Sequence, residues 1–139
     1  MTTDTKTLVT DSGFTSDDWT GGFCPPDSAA NDPVALDLTS DADPTALSNQ
    51  LAGLQMIRVD FPSFADGRGF TIARRLRLMG YKGRLRAKGH VLADQYAMAR
   101  RSGFDEVEID AALATRQPED QWLARANWKD NDYQSRLRG

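Results

Sequence analysis

The segment Asp66-Gly67-Arg68-Gly69-Phe70-Thr71 sets two glycines, an acid and a base between an apolar run ending at Phe61 and a helical stripe starting at Ile72. Glycines let the backbone approach a ligand closely, and a helix opening at this point would aim unpaired amides and its positive dipole end at that ligand. Arg68 adds a planar fork that can hold sulfate, phosphate or carboxylate through two parallel hydrogen bonds. The pattern is not the dinucleotide fingerprint, because Ile72 stands three residues after Gly69 where a glycine is required, and it is not a P-loop. The competing reading is a tight turn in which Asp66 accepts from backbone amides and Arg68 pairs with Asp60 or Asp66.

His90, the chain's one histidine, follows Gly89 at the end of another expected strand. It could work as a general acid or base with Asp60 or Asp66 nearby. No nucleophile accompanies it, so an exposed or capping histidine is the plainer expectation. Asp94, four residues on, could orient His90 or pair with Arg86 or Lys88, and Gln95 stands beside it. The candidate catalytic groups are therefore Asp60, Asp66 and His90. The candidate ligand-binding set is Asp66, Gly67, Arg68, Gly69, Arg86, Asp94 and Gln95. Neither a metal centre nor a cofactor is expected, since one cysteine (Cys24) and one histidine cannot build a disulfide, a Cys-x-x-Cys pair or a multi-His site.

These groups need elements to hold them. Residues 34–38, 56–61, 84–88 and 104–110 read as strands, alternating with helices that begin at Asp43-Pro44, near Ile72, at Val91 and at Pro118. The order predicts an α/β fold, a four-stranded parallel sheet of βα units resembling half of a TIM barrel, with a doubly wound α/β sandwich as the alternative. The strands alternate rather than running apolar throughout, which a sheet covered on both faces would do. Ile57, Val59 and Phe61 oppose Arg58 and Asp60, Leu85 and Ala87 oppose Arg84, Arg86 and Lys88, and Val107 and Ile109 oppose Glu106, Glu108 and Asp110. One face is expected to pack the helices, and the other to carry cross-strand ion pairs. Residues 1–33, polar and broken by Gly21-Gly22 and Pro25-Pro26, read as an irregular arm that is mobile or docks at an edge, with 34–139 as the single domain. Open sheet edges predict a homodimer.

The length of 139 residues fits one domain. Charge is split along the chain: residues 1–66 carry two basic and eleven acidic side chains, whereas 67–101 carry ten basic and one acidic. That excludes a uniformly basic nucleic-acid coat but leaves room for a local anion site. Arg74, Arg75, Arg77 and Arg100-Arg101 could meet an acidic partner or the acidic arm, while nucleic acid is disfavoured because no aromatic residues interleave them. No run approaches a membrane span and no signal peptide is visible at Met1, so a cytoplasmic protein with no membrane partner is expected.

Residues 61–77, together with Gly80-Tyr81-Lys82-Gly83-Arg84-Leu85-Arg86-Ala87, Gly89, Val91-Leu92, Asp94-Gln95 and Gly103-Phe104-Asp105, resemble the bacterial family known as domain of unknown function 934. The chain departs from the family pattern at Lys88 and at His90, where a small apolar residue and an aspartate are expected. The resemblance implies a role in sulfite reduction, as its members are described as oxidoreductases of that process. Sulfite reduction is carried out on siroheme and an iron–sulfur cluster, which one cysteine and one histidine cannot ligate. An accessory protein of assimilatory sulfate and sulfite reduction is therefore expected, binding a small anion or docking on a sulfite reductase or another sulfur-assimilation protein. The alternative is a small enzyme acting on an anionic metabolite at the carboxyl ends of the strands.

Overall fold

The computed structural model describes residues 7–19, 23, 35–48 and 51–126. In chain order the elements are strands β1 (Thr7–Thr10), β2 (Gly13–Ser16), β3 (Ala35–Leu38) and β4 (Met56–Phe61), helix α1 (Arg68–Leu78), β5 (Arg84–Gly89), α2 (Tyr96–Ser102), β6 (Glu106–Ile109), α3 (Ala111–Arg116) and α4 (Glu119–Leu123). They form a mixed α/β fold around one six-stranded sheet of order β2-β1-β6-β5-β4-β3.

The expectation of four strands is corrected to six. Strands β3 to β6 are parallel and adjacent in chain order. The two further strands come from the acidic N-terminal residues, where β1 and β2 form an antiparallel hairpin and β1 pairs antiparallel with β6. Asp11-Ser12 make the two-residue connection, and Gly13 follows at a φ of 112°, a conformation that disfavours side chains. Cys24, Pro25-Pro26 and Trp128 lie outside the described residues.

Alternation along the strands produces two unlike faces. On one, Val9, Leu36, Leu38, Ile57, Val59, Phe61, Leu85, Ala87, Val107 and Ile109 join a single apolar cluster. Phe70, Ile72, Ala73 and Leu76 of α1, Tyr96 and Ala99 of α2, Leu113 of α3 and Trp122 of α4 pack into that same cluster. Among the described residues all four helices thus cover one face, whereas a doubly wound sheet is covered on both. The opposite face carries Asp37, Arg58, Asp60, Arg84, Arg86, Lys88, Glu106 and Glu108, as the registers require.

Three local expectations are also revised. Leu47, Leu51 and Leu54 are buried, but the backbone there takes two short 3-10 turns, Pro44–Leu47 and Leu51–Gly53, instead of one helix. The helix expected from Val91 becomes a 3-10 turn, Ala93–Gln95, leading into α2. Asp110, read as the last residue of a strand, is the N-cap of α3, and its side chain accepts from the Leu113 amide.

Two tyrosines show how closely the helices seal the core. Burial pushes the Tyr81 phenol up to about 12, and burial, reinforced by a hydrogen bond to Asp11, raises Tyr96 as well. Above the ordinary phenol pKa the unfolded chain loses these protons and the folded chain keeps them, so stability falls as pH rises from about 10 towards 12. Phenolate absorbance should show late ionisation of two tyrosines that collapses to ordinary values in denaturant. Two ordinary titrations in the folded protein would contradict this packing.

Candidate functional site

The β4–α1 loop sits at the carboxyl ends of the parallel strands, where ligands bind in open α/β sheets. Its shape follows from Asp66, whose Oδ1 accepts from the Arg68 amide and so closes a turn before the helix. Gly67 is the N-cap of α1 and makes no side-chain cap, and no acid occupies the first turn. Gly69 is required by packing: a Cβ there would overlap the Phe61 ring.

Arg68 is gripped from two sides. Its Nε and Nη2 donate to the two oxygens of Asp66 at 3.0 and 2.8 Å, and Nη2 also donates to the Ser40 hydroxyl at 2.9 Å. The Arg68 guanidinium holds the Asp66 carboxyl well below the usual carboxylate range. The pair is the one expected of the tight turn, and with Arg68 62% exposed it adds little stability. What it does is orient the guanidinium. Among the described residues Nη1 has no hydrogen-bond partner, and Arg68 borders a cavity of about 360 Å³ lined also by Ser40, Asp41, Thr71 and Arg75 among others. Arg75 lies 3.8 Å from Asp43. A bound oxyanion would meet a preset cation and the Thr71 hydroxyl beside a helix N-terminus whose first amide is already held by Asp66.

His90 and Gln95 tie the neighbouring loops together. The His90 amide donates to Phe61 O at 2.9 Å, its Nδ1 lies 3.2 Å from the same oxygen, and its ring meets Phe64 edge-on at 4.9 Å. Gln95 accepts from the Leu92 amide and donates to Phe64 O. Asp94 faces neither His90 nor Arg86; it pairs with Arg125 at 2.7 Å. Asp60 stands on the polar sheet face, in register with Lys88 on β5. The loop thus gathers Asp66, Gly67, Arg68 and Gly69, with His90 and Gln95 beside it; Asp60 lies against Gly89, next to His90, and Arg86 and Asp94 lie elsewhere.

Arg86 belongs to a second assembly. Its side chain is 0% exposed, with Nε donating to Glu106 at 2.6 Å, Nη1 to Glu108 at 2.8 Å and Nη2 to Asp17 at 3.0 Å. In the β4–β5 register Arg58 lies directly opposite Arg86, a repulsive placement. Carboxylates separate the two cations: Arg58 holds Asp37 on one side and Glu108 on the other, while Arg84 holds Glu106 and Asp18. Burial alone would lower the Arg86 pKa, yet its bonds to Asp17, Glu106 and Glu108 outweigh that and raise it. Phe23 stacks on this face, 3.8 Å from the Arg58 guanidinium carbon to the ring centroid. Every buried side-chain polar atom among the described residues has a partner.

Ser40 at the loop, and Asp17 and Asp18 over the polar face, were not among the sequence candidates. The Asp17-Asp18 pair in an acidic stretch was the available signal for the second group. No helix among the described residues is long and apolar enough to cross a membrane, and none of their His, Cys, Asp and Glu residues form a group of three or more suited to a metal.

Over residues 35–139 the chain matches the family described as "Bacterial protein of unknown function (DUF934)". No curated protein and no solved structure matches it.

Proposed function

The chain belongs to the bacterial family of unknown function DUF934, and from that premise we propose that it is an accessory protein of assimilatory sulfate and sulfite reduction. It binds a small oxyanion at the Asp66–Gly69 loop, or docks on a reductase, and leaves electron transfer to that partner. One observation carries the anion reading: Arg68 is fixed through Nε and Nη2 by Asp66 and Ser40 while Nη1 is uncommitted among the described residues. The process comes from the family resemblance, and composition supports only the accessory part of the reading, since one cysteine and one histidine cannot ligate siroheme and an iron–sulfur cluster.

Thermal-shift measurements with sulfate, sulfite and phosphate test the site. A ligand that binds only the folded chain raises its melting temperature with concentration. Sulfite or sulfate is expected to raise it by about 5 °C at ten times its Kd, and Arg68→Ala to abolish the rise. An equal rise in Arg68→Ala, or no rise in the wild type, contradicts the anion reading. A homodimer is part of the same proposal, because β2 and β3 are the outermost strands of the sheet among the described residues; a monomer by light scattering counts against it.

A further inference from the structure

We propose that the outward face of α1 and α2 is a docking surface for an acidic protein segment with an aliphatic anchor. The inference rests on the accessory role and gives it a point of contact. Leu78 is 81% exposed and Met98 51%, among the largest exposures of any big hydrophobic side chain described. Leu78 ends the stripe Thr71, Arg74, Arg75, Leu78, which lies opposite the buried Ile72, Ala73 and Leu76. On α2, Met98 and Arg101 are likewise exposed while Tyr96, Ala99 and Ser102 are buried. The two helices are neighbours, for Arg77 of α1 donates to Gly103 O just beyond α2 at 2.8 and 3.0 Å.

The arginines of these helices divide sharply by their partners. Arg77 and Arg100 turn inward onto carbonyls and acids: Arg77 onto Gly103, Tyr81, Gly83 and Asp105, and Arg100 onto Phe104 and Asp11. Arg74 and Arg101 are exposed and have no hydrogen-bond or ion-pair partner among the described residues. Two uncommitted cations therefore accompany two exposed aliphatic side chains on adjoining helices. Arginine and methionine are enriched where proteins meet, and exposed apolar residues grouped on one face mark contact sites. The charge selects acidic groups, and the aliphatic side chains select an apolar anchor between them. Nucleic acid fits less well: two cations neutralise few phosphates, and no aromatic platform stands between them.

The test uses the full chain and purified assimilatory sulfite reductase of the same bacterium as the probe. Arg74→Glu with Arg101→Glu, and Leu78→Ser with Met98→Ser, should each weaken binding about tenfold or more, the charge-reversed pair with loss of salt dependence. Arg116→Glu, on the exposed side of α3, should leave binding unchanged. If the reductase binds every variant equally, the surface is wrong while the accessory reading stands. If the wild type does not bind the reductase, that partner is wrong, and a photo-crosslinker at position 98 in sulfate-grown cells decides the surface. A crosslink to an identified acidic protein, lost on charge reversal, upholds it; a crosslink to RNA, or none, overturns it.

Discussion

Arg86→Met should cost about 3–5 kcal/mol of folding stability, a large share of what a domain of this size has. The cause is not the loss of one bond. Arg86 is fully enclosed and touches Glu106, Glu108 and Asp17, and Glu106 and Glu108 are themselves buried. Removing the cation leaves two buried carboxylates with one arginine each, Arg84 for Glu106 and Arg58 for Glu108. Their desolvation is then poorly compensated, and they lie on the same strand two residues apart. Arg86→Lys keeps the charge but loses the fork that reaches three acids, so it should fall between wild type and Met. Urea unfolding at neutral pH reads this directly. A loss under about 1 kcal/mol in Arg86→Met would show that the carboxylates find other partners or water.

Trp122→Ala is the second large effect, at about 3–5 kcal/mol. Helix α4 has only five residues, too few to persist by itself. Trp122 is its anchor: buried, edge-on to Tyr96 at 6.1 Å between centroids, with its indole N–H donating to Gln117 O at 2.8 Å. The surrounding bonds depend on that placement. Gln117 accepts from the Ala93 amide, and Glu119 at the start of α4 accepts from the Phe14 amide on β2. Losing the indole should therefore loosen the hairpin edge as well as the C-terminal helices. Hydrogen exchange should rise at Phe14 and Ala93 together with the fall in the urea midpoint. Trp122→Phe keeps most of the packing and should cost about 1–2 kcal/mol, and a comparable cost in both variants would contradict the anchor role.

The parts legible in the sequence are those with strict periodicity. Alternation in residues 56–61 and 84–88 gave the strands and the charged face, because a side-chain period of two assigns faces unambiguously, and the helices between strands gave their parallel order. Which acid meets which base depends on register, and the register that sets Arg58 opposite Arg86 is a property of the assembled sheet. The hairpin was hidden because β1 buries Leu8 and Val9 on opposite faces, so its four residues carry no alternation. Its one local sign was Asp11-Ser12-Gly13 between Val9 and Phe14, a turn pattern inside a stretch whose composition reads as an arm. Asp110 misled for the opposite reason: it continues the acidic alternation of Glu106 and Glu108, yet the Ala-Ala-Leu that follows makes it a helix cap. At the loop, the Asp66–Arg68 grip was readable from spacing, whereas Ser40 comes from the segment after β3 and meets Arg68 only once the sheet forms.

The accessory role is tested most directly by growth of a strain lacking this chain, with sulfate, sulfite or cysteine as the sole sulfur source. Slow growth on sulfate and sulfite, restored by cysteine and by the wild-type chain, is the expected result. Growth equal to the parent strain on all three sources would contradict the account.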